Sequence, residues 1–387
     1  MSGLTAREHE AQHLLQVYDQ LPIEPQSAHG AYLHCDGRAI LDLYGGHAVA
    51  SLGYGHPALL KTLHDQADEI FFQSNAVALK VRARAAETLA EFAPEKLDHV
   101  FFTNSGAEAN ENALRIALRL TGRSRVVAIE HGFHGRTAAA GAVTWGSKGA
   151  WYGFPQTPFS VDFLPRNETS AIPDTVTDAT AAVILELVQG VAGAVDLDFE
   201  FVQKVAQTCA DNGALLIIDE VQSGIGRCGK PFATNLYNVQ PDILTVAKSV
   251  AGGFPCGALI VTGDVARSVG SGDLGSTFGG GPIACALVKT VIDVIRKEQL
   301  MENVCTLSTL IKEALPVGPV TNAQGKGFLM GLRCRRTARQ VRDELLAKNI
   351  LVGTSADPFV LRLLPPLILE QQHVQRLLDI LADLPEG

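Results

Sequence analysis

The sequence predicts an α/β fold, a mainly parallel sheet covered by helices on both faces, followed by a smaller α+β part. Two observations carry this. Between about residue 98 and residue 263, short apolar runs alternate with helical patterns, the rhythm of strands joined by crossover helices. Two of those runs break off at a charged side chain, Asp219 and Lys248, and the ends of such strands are where open α/β sheets bind ligands.

The runs, in order, are His99-Val100-Phe101-Phe102, Val126-Val127-Ala128-Ile129, Ala182-Val183-Ile184-Leu185, Leu215-Leu216-Ile217-Ile218 and Ile243-Leu244-Thr245-Val246. One unit between them shows its helix plainly. Val202, Val205, Ala206 and Cys209 fall at i, i+3, i+4 and i+7, which makes one apolar face. Asn212-Gly213 stops that helix, because glycine tolerates the left-handed position beyond a helix end. After about residue 276 the pattern changes to a helix, a strand from Phe328 to Leu332, a further helix and the extended Phe359-Val360-Leu361-Arg362-Leu363-Leu364. A closing helix carries Val374, Leu377, Leu378 and Leu381 on one face. Residues 51–275 are expected to form the large domain, with residues 1–50 joining 276–387 in the small one. No internal repeat or low-complexity linker is visible.

A chain of 387 residues with 47% hydrophobic content can bury a core for about two domains. The formal charge of -9, without a Lys/Arg cluster, leaves no electrostatic footprint for nucleic acid or an anionic membrane, so small-molecule chemistry is the better expectation. Seven scattered cysteines without C-x-x-C spacing argue against a disulfide framework or a zinc site and fit a reducing compartment. The charged N-terminus, Met1 to Glu10, has no apolar signal core, and no apolar stretch reaches the roughly 18 residues needed to span a bilayer. A soluble, cytoplasmic protein is expected.

Three motifs carry chemistry. In Phe101-Phe102-Thr103-Asn104-Ser105-Gly106-Ala107-Glu108-Ala109-Asn110, Ser105 and Glu108 have capping-box spacing directly after a strand, so a helix starts there. Its free amides and positive dipole end, lined by small Gly106 and Ala107, suit a phosphate, although a plainly capped helix has the same signature. The second motif, Leu215-Leu216-Ile217-Ile218-Asp219-Glu220-Val221-Gln222, puts Asp219 at a strand end, where a protonated pyridine nitrogen would be a suitable cationic partner. The third, from Pro241 to Pro255, places Lys248 among apolar and small residues. Most lysines reach for water; this one should be desolvated, with a lowered pKa and a nucleophilic amine. A phosphate cradle, a strand-end carboxylate and a buried amine are the three fixed points that pyridoxal phosphate needs. A fourth pattern, Gly224-x-Gly226-x-x-Gly229 with Asp242 beyond it, matches a dinucleotide fingerprint but follows no strand directly and opens no helix, so it is expected to be a mobile or turn-rich loop.

With these residues in place, the sequence resembles the class III, or ω-amino, aminotransferases of fold type I, from about Ala28 to Asp383. Within them it is most similar to the N-acetylornithine branch. The stretches that carry the likeness are Asn104 to Asn110, Phe133-His134-Gly135-Arg136-Thr137, Asp219-Glu220-Val221-Gln222, Ala247-Lys248, Gly275-Ser276-Thr277-Phe278-Gly279-Gly280 and Leu361-Arg362-Leu363-Leu364-Pro365-Pro366. The resemblance implies a large domain with a mainly parallel sheet of the seven-stranded type. It also implies pyridoxal 5′-phosphate bound covalently by Lys248, with Asp219 on the ring nitrogen. Ser105, Gly106 and Ala107 would sit at the phosphate, Phe133 on the ring, Gln222 beside the phenolic oxygen, and Thr277 at the phosphate of the other subunit of a homodimer. Arg136 and Arg362 would take substrate carboxylates by charge-assisted pairs. His131 and His134 would be loop and packing residues, and no metal is implied.

Three departures bear on the substrate. Gln189-Gly190-Val191-Ala192-Gly193 stands where the family usually has Gln-Gly-Glu-Gly-Gly, so the glutamate that covers the arginine matching Arg362 is missing. His47 replaces an isoleucine near the substrate entrance, and Gly281 an asparagine. The expected reaction is ping-pong transfer of the ω-amino group of an N2-acylornithine to 2-oxoglutarate. Ornithine, 4-aminobutyrate and diamine aminotransferases or a semialdehyde aminomutase are the rivals within this chemistry. A nicotinamide-dependent dehydrogenase using the Gly224 loop, or a catalytically silent binding protein, are the rivals outside it.

Overall fold

The computed structural model describes residues 5–157 and 159–387; the start of the charged N-terminus, residues 1–4, lies outside them. Seven strands form the central sheet in the order Leu97–Thr103, Gly257–Thr262, Ile243–Val246, Leu215–Asp219, Thr180–Leu185, Arg125–Ile129 and Ser160–Leu164. Gly257–Thr262 runs antiparallel to both its neighbours, and the other pairings are parallel. Five of these strands are the five apolar runs. Gly257–Thr262 runs the other way because the chain between it and Ile243–Val246 is too short for a crossover helix, which takes a dozen residues or more. Ser160–Leu164 is an edge strand of mixed polarity, so its sequence carries little of the apolar signal.

The helix read between two of the runs is Phe199–Asn212, with Val202, Val205 and Cys209 buried and Gly213 left-handed at φ 63°. The single helix expected after residue 276 is two, Pro282–Lys297 and Leu300–Glu313, broken at Gln299, whose φ is 55°. Pro282–Lys297 packs against Pro57–Glu69 and Lys80–Phe92 and is the most thoroughly buried helix of the chain's second half.

Beyond it lies an antiparallel sheet in the order Val320–Lys326, Leu329–Cys334, Val360–Leu363, Gly353–Thr354. Val320–Lys326 is too polar to stand out in the sequence. The N-terminal strands Ser27–His29, Tyr32–Cys35 and Arg38–Asp42 form a meander, and Arg38–Asp42 pairs in parallel with Ile350–Leu351. The first fifty residues are thereby stitched to the last forty, and this brings residues near position 44 beside the strand that carries Arg362. No helix of the described residues is long and apolar enough to cross a membrane.

Candidate active site

Parallel strands put their carboxyl ends along one edge of a sheet, and a cavity of about 460 Å3 opens there. Asp219 ends Leu215–Asp219 and is buried. Its Oδ1 accepts from the Val221 amide at 2.9 Å, while its Oδ2 accepts from Asn110 Nδ2 at 2.7 Å and lies 2.8 Å from His134 Nδ1. Asn110 is itself fixed, donating to the His134 carbonyl at 2.8 Å and accepting from the Thr245 hydroxyl at 2.7 Å. The carboxylate is held from three sides, a fixed negative charge at the cavity wall. His134 is therefore not merely a packing residue, as the sequence suggests: it is buried and bonded to Asp219. His131 does pack, its ring tilted against Trp145 at 5.5 Å.

Lys248 follows Ile243–Val246 on the neighbouring strand and lines the same cavity. Desolvation lowers its ammonium to about 8, against the pull of the Asp219 and Glu186 carboxylates. At neutral pH about a tenth is then the free, nucleophilic amine, far more than for an ordinary lysine. Its backbone is left-handed at φ 48°, a strained state held by Ser249, whose hydroxyl donates to the Ala48 carbonyl at 2.7 Å. Glu186 comes directly after Thr180–Leu185 and is a third strand-end group in the cavity. Burial first, and the charge of Asp219 second, push its carboxyl up to about 7; the Phe133 amide donates to it at 3.2 Å.

The far wall is the start of the helix Gly106–Thr121. Ser105 caps it, its hydroxyl accepting from the Glu108 amide at 3.2 Å. The reciprocal half of the expected capping box is displaced by one residue: Glu108 accepts from the Asn104 amide at 2.7 Å and from the Asn104 side chain at 3.0 Å. First-turn amides such as those of Gly106 and Ala107 have no intrahelical acceptor, and with the dipole they make the cavity attractive to an anion. A Cβ on Gly106 would come within 2.8 Å of the Val221 methyls, so only glycine lets Val221 close on this end. Phe133 and Gln222 also line the cavity, and Gln222 Oε1 is buried with no partner among the described residues.

The class-III aminotransferase family model matches residues 15–384. The chain belongs to that family. Among its relatives are the acetylornithine aminotransferases of Methanosarcina acetivorans, 35% identical over 97% of this chain and 94% of that one, and of Bacillus cereus, 37% identical over 95% and 96%. Among solved structures, an ornithine aminotransferase from Toxoplasma gondii with pyridoxal phosphate at partial occupancy in its active site has a TM-score of 0.90, with 25% identity over 97% of this chain and 92% of that one. The molecule is thus a pyridoxal-phosphate-dependent aminotransferase of fold type I. Its cavity fits that cofactor in kind, with an anion-binding helix end, a fixed carboxylate for a ring nitrogen, an amine of lowered pKa for an aldehyde, and an orphaned polar atom on Gln222.

The Gly224–Gly229 segment of this aminotransferase is the turn-rich loop expected, a buried series of turns with Gly226 and Gly229 left-handed at φ 81° and 79°. The Asp242 carboxylate accepts from the Leu216 amide at 2.8 Å and braces the sheet. Neither lines the cavity.

The two arginines differ. Arg136 lines the cavity with its guanidinium 5.8 Å from the Phe133 ring centroid and 5.4 Å from that of Tyr152, and makes no ion pair among the described residues. Arg362 is buried on Val360–Leu363; its Nε donates to the Thr354 carbonyl at 2.7 Å, its Nη2 to the Tyr44 hydroxyl at 2.8 Å, and its Nη1 to the Gly190 carbonyl at 3.4 Å. Val191 lines the cavity beside it in sequence. Thr277 is exposed and lies outside the cavity of its own chain. Four residues of the site are not singled out by sequence: Glu186, Asn110, His134 and Val221. Glu186 obeys the same strand-end rule as Asp219, and the other three lie within motifs that are otherwise legible.

Proposed function

We propose that this aminotransferase moves the ω-amino group of an N2-acylornithine, acetyl or succinyl, to 2-oxoglutarate, a step of arginine biosynthesis. We place it in the cytoplasm as a homodimer with the active site at the interface. The observation that carries the substrate class is Arg136, a guanidinium at the cavity wall with aromatic faces and no carboxylate beside it, which suits the α-carboxylate of a donor that presents its amine further along the chain. The names of the two relatives point the same way. Exposed Phe72 and Phe278, next to Thr277, form a tilted pair at 5.4 Å that suits burial against a second copy.

When bound, the cofactor supplies an electron sink for the carbon that carries the amine. The chain's residues do the rest. Gly106 and Ala107 would hold the phosphate end by their amides, with Ser105 setting their helix, and Thr277 of one copy would serve the phosphate held by the other. Phe133 and Val221 would confine the ring, and Gln222 would serve its phenolic oxygen. Asp219, pinned by Asn110 and His134, would keep the ring nitrogen protonated. Lys248 would anchor the cofactor by its amine and would hold or move the proton at the substrate carbon. Arg362 takes the α-carboxylate of 2-oxoglutarate and glutamate.

A half-reaction screen tests this. With N-acetylornithine, N-succinylornithine, ornithine, 4-aminobutyrate and putrescine as donors, followed by loss of the bound cofactor's absorbance, the acylornithines are expected to react with the highest kcat/KM, and Arg136→Lys to raise their KM at least tenfold. A preference for putrescine overturns the assignment.

A further inference from the structure

Arg362 is a buried cation without a carboxylate partner among the described residues, and each acceptor it meets is neutral. One of the three is a side chain. The Tyr44 hydroxyl sits between two groups, accepting from Arg362 Nη2 at 2.8 Å and lying 2.7 Å from His47 Nδ1, to which it can donate when that nitrogen is bare. A phenol can accept from a guanidinium and donate onward in this way only if the imidazole nitrogen is unprotonated. Desolvation first, then the charges of Arg362, Lys248 and Arg136, hold His47 below its ordinary value, which favours the unprotonated ring that can accept from the phenol.

The placement of this pair is built into the fold. The Tyr44 ring lies where a side chain at position 353 would be: a Cβ on Gly353 would come within 2.0 Å of it, and Gly353 is the cross-strand partner of Arg362. The Tyr44 and Gly45 amides both donate to Asp42 Oδ1, at 2.8 and 2.9 Å, which fixes the start of the segment. From Gly45 to Ala48 the backbone makes a left-handed turn, with φ of 54°, 57°, 63° and 69°, and this turn aims His47 back at the phenol. His47 and Ala48 adopt this conformation without being glycine, and the turn is tied to the Lys248 segment through Ser249.

We infer that Tyr44, backed by His47, is a neutral and displaceable cover on Arg362, and that this pair sets which substrates enter the site. The inference rests on the reading of Arg362 as the carboxylate receptor. The cover satisfies the guanidinium while a donor with no carboxylate at that end is bound. Being uncharged, it yields to an incoming carboxylate without electrostatic repulsion, so diacids such as 2-oxoglutarate and glutamate enter easily and glutamate competes with the acylornithine donor. Tyr44 is a specificity residue in this account and His47 a positioning residue.

The test uses the loaded enzyme, with calorimetric binding of glutarate as an unreactive diacid and KM and kcat for each half-reaction, on Tyr44→Phe, His47→Ala and Arg362→Lys. Phenylalanine keeps the ring on Gly353 and removes the competing hydroxyl. Glutarate affinity is expected to rise about three- to tenfold, the worth of one hydrogen bond, with KM for glutamate and 2-oxoglutarate falling in step and KM for N-acetylornithine rising. His47→Ala should move the same quantities in the same direction by less. Unchanged or weaker glutarate binding in Tyr44→Phe overturns the cover. Arg362→Lys is the control on the underlying reading: glutarate affinity that survives it removes Arg362 as the receptor, whereas a tenfold or greater loss beside an indifferent Tyr44→Phe removes the cover alone.

Discussion

The cofactor cavity and the arginine cluster beside it are built by opposite means. At the cofactor end, Asp219, Lys248 and Glu186 stand at or just beyond the ends of neighbouring strands of one sheet, and the helix start at Ser105 follows the strand Leu97–Thr103 directly. Their spacing is set by the sheet, and Asp219, Glu186 and Ser105 are held by hydrogen bonds to residues of the same cavity wall and helix start. At the proposed substrate end, Val191 lines the cavity while Arg362, Tyr44 and His47 lie beside it, and the four come from a small antiparallel sheet, a left-handed turn and a loop, joined only through tertiary contacts. A sheet edge preserves a chemistry; a junction of loops lets the choice of substrate drift while that chemistry stays. Two of the three departures from family pattern, at His47 and Val191, fall where this predicts; the third, Gly281, stands at the start of the helix Pro282–Lys297.

This contrast orders the effects of substitution. The largest belongs to Lys248→Ala, which should reduce turnover to background and leave borohydride unable to fix the cofactor to the chain, even where it is retained noncovalently. A reduced cofactor adduct on another lysine, found by peptide mass mapping, would falsify the assignment. Next is Asp219→Asn, which keeps the shape and removes the charge: a loss of roughly 2.7–4 kcal/mol of transition-state stabilisation is expected, a hundred- to thousandfold or more in kcat. A variant that keeps most of its turnover would show that the ring nitrogen is served by another group. Asn110→Ala, which unpins Asp219 and leaves the Thr245 hydroxyl without its acceptor, should cost about 1–3 kcal/mol, visible in thermal unfolding and in cofactor affinity.

Two smaller effects sharpen the boundary between the ends. The rate at which the cofactor-free enzyme captures pyridoxal phosphate should rise with pH and level off above about 8, because protonation of Lys248 removes its nucleophile. The carboxylate of Glu186 stabilises the ammonium, so Glu186→Gln should move that midpoint to lower pH; a shift upward would mean that Glu186 does not act on Lys248 by charge. The smallest change in chemistry is Val191→Glu, which adds an anion next to the residue whose carbonyl meets Arg362. N-acylornithine turnover should hold or improve while kcat/KM for glutamate falls, and an unmoved ratio would mean that the added carboxylate does not reach the guanidinium.

The sequence exposes the cofactor end because the physics there is local. Apolar runs that stop at Asp219 and near Lys248, and a capped helix after Phe101-Phe102, need no knowledge of the rest of the chain. Glu186 escapes because Leu187 and Val188 continue the apolar run past it, so the strand seems not to end where it does. His134 escapes because it lies in a loop without periodicity and its partner, Asp219, is 85 residues away. Gly257–Thr262 and Val320–Lys326 show the same limit for the fold, one set by the shortness of a connection and the other by its polarity. Arg362 can be identified by motif, but nothing near it in sequence shows what covers it.

The pairing of Arg38–Asp42 with Ile350–Leu351 also orders events in time. Tyr44 leaves the ribosome early, and Arg362 follows 318 residues later. At about 5–20 residues per second that is a delay of roughly a quarter of a minute to a minute. Late in that interval the strands bearing Asp219 and Lys248 have also emerged, so in a nascent chain both strand-end groups and Arg136 precede the moment at which Arg362 can meet Tyr44.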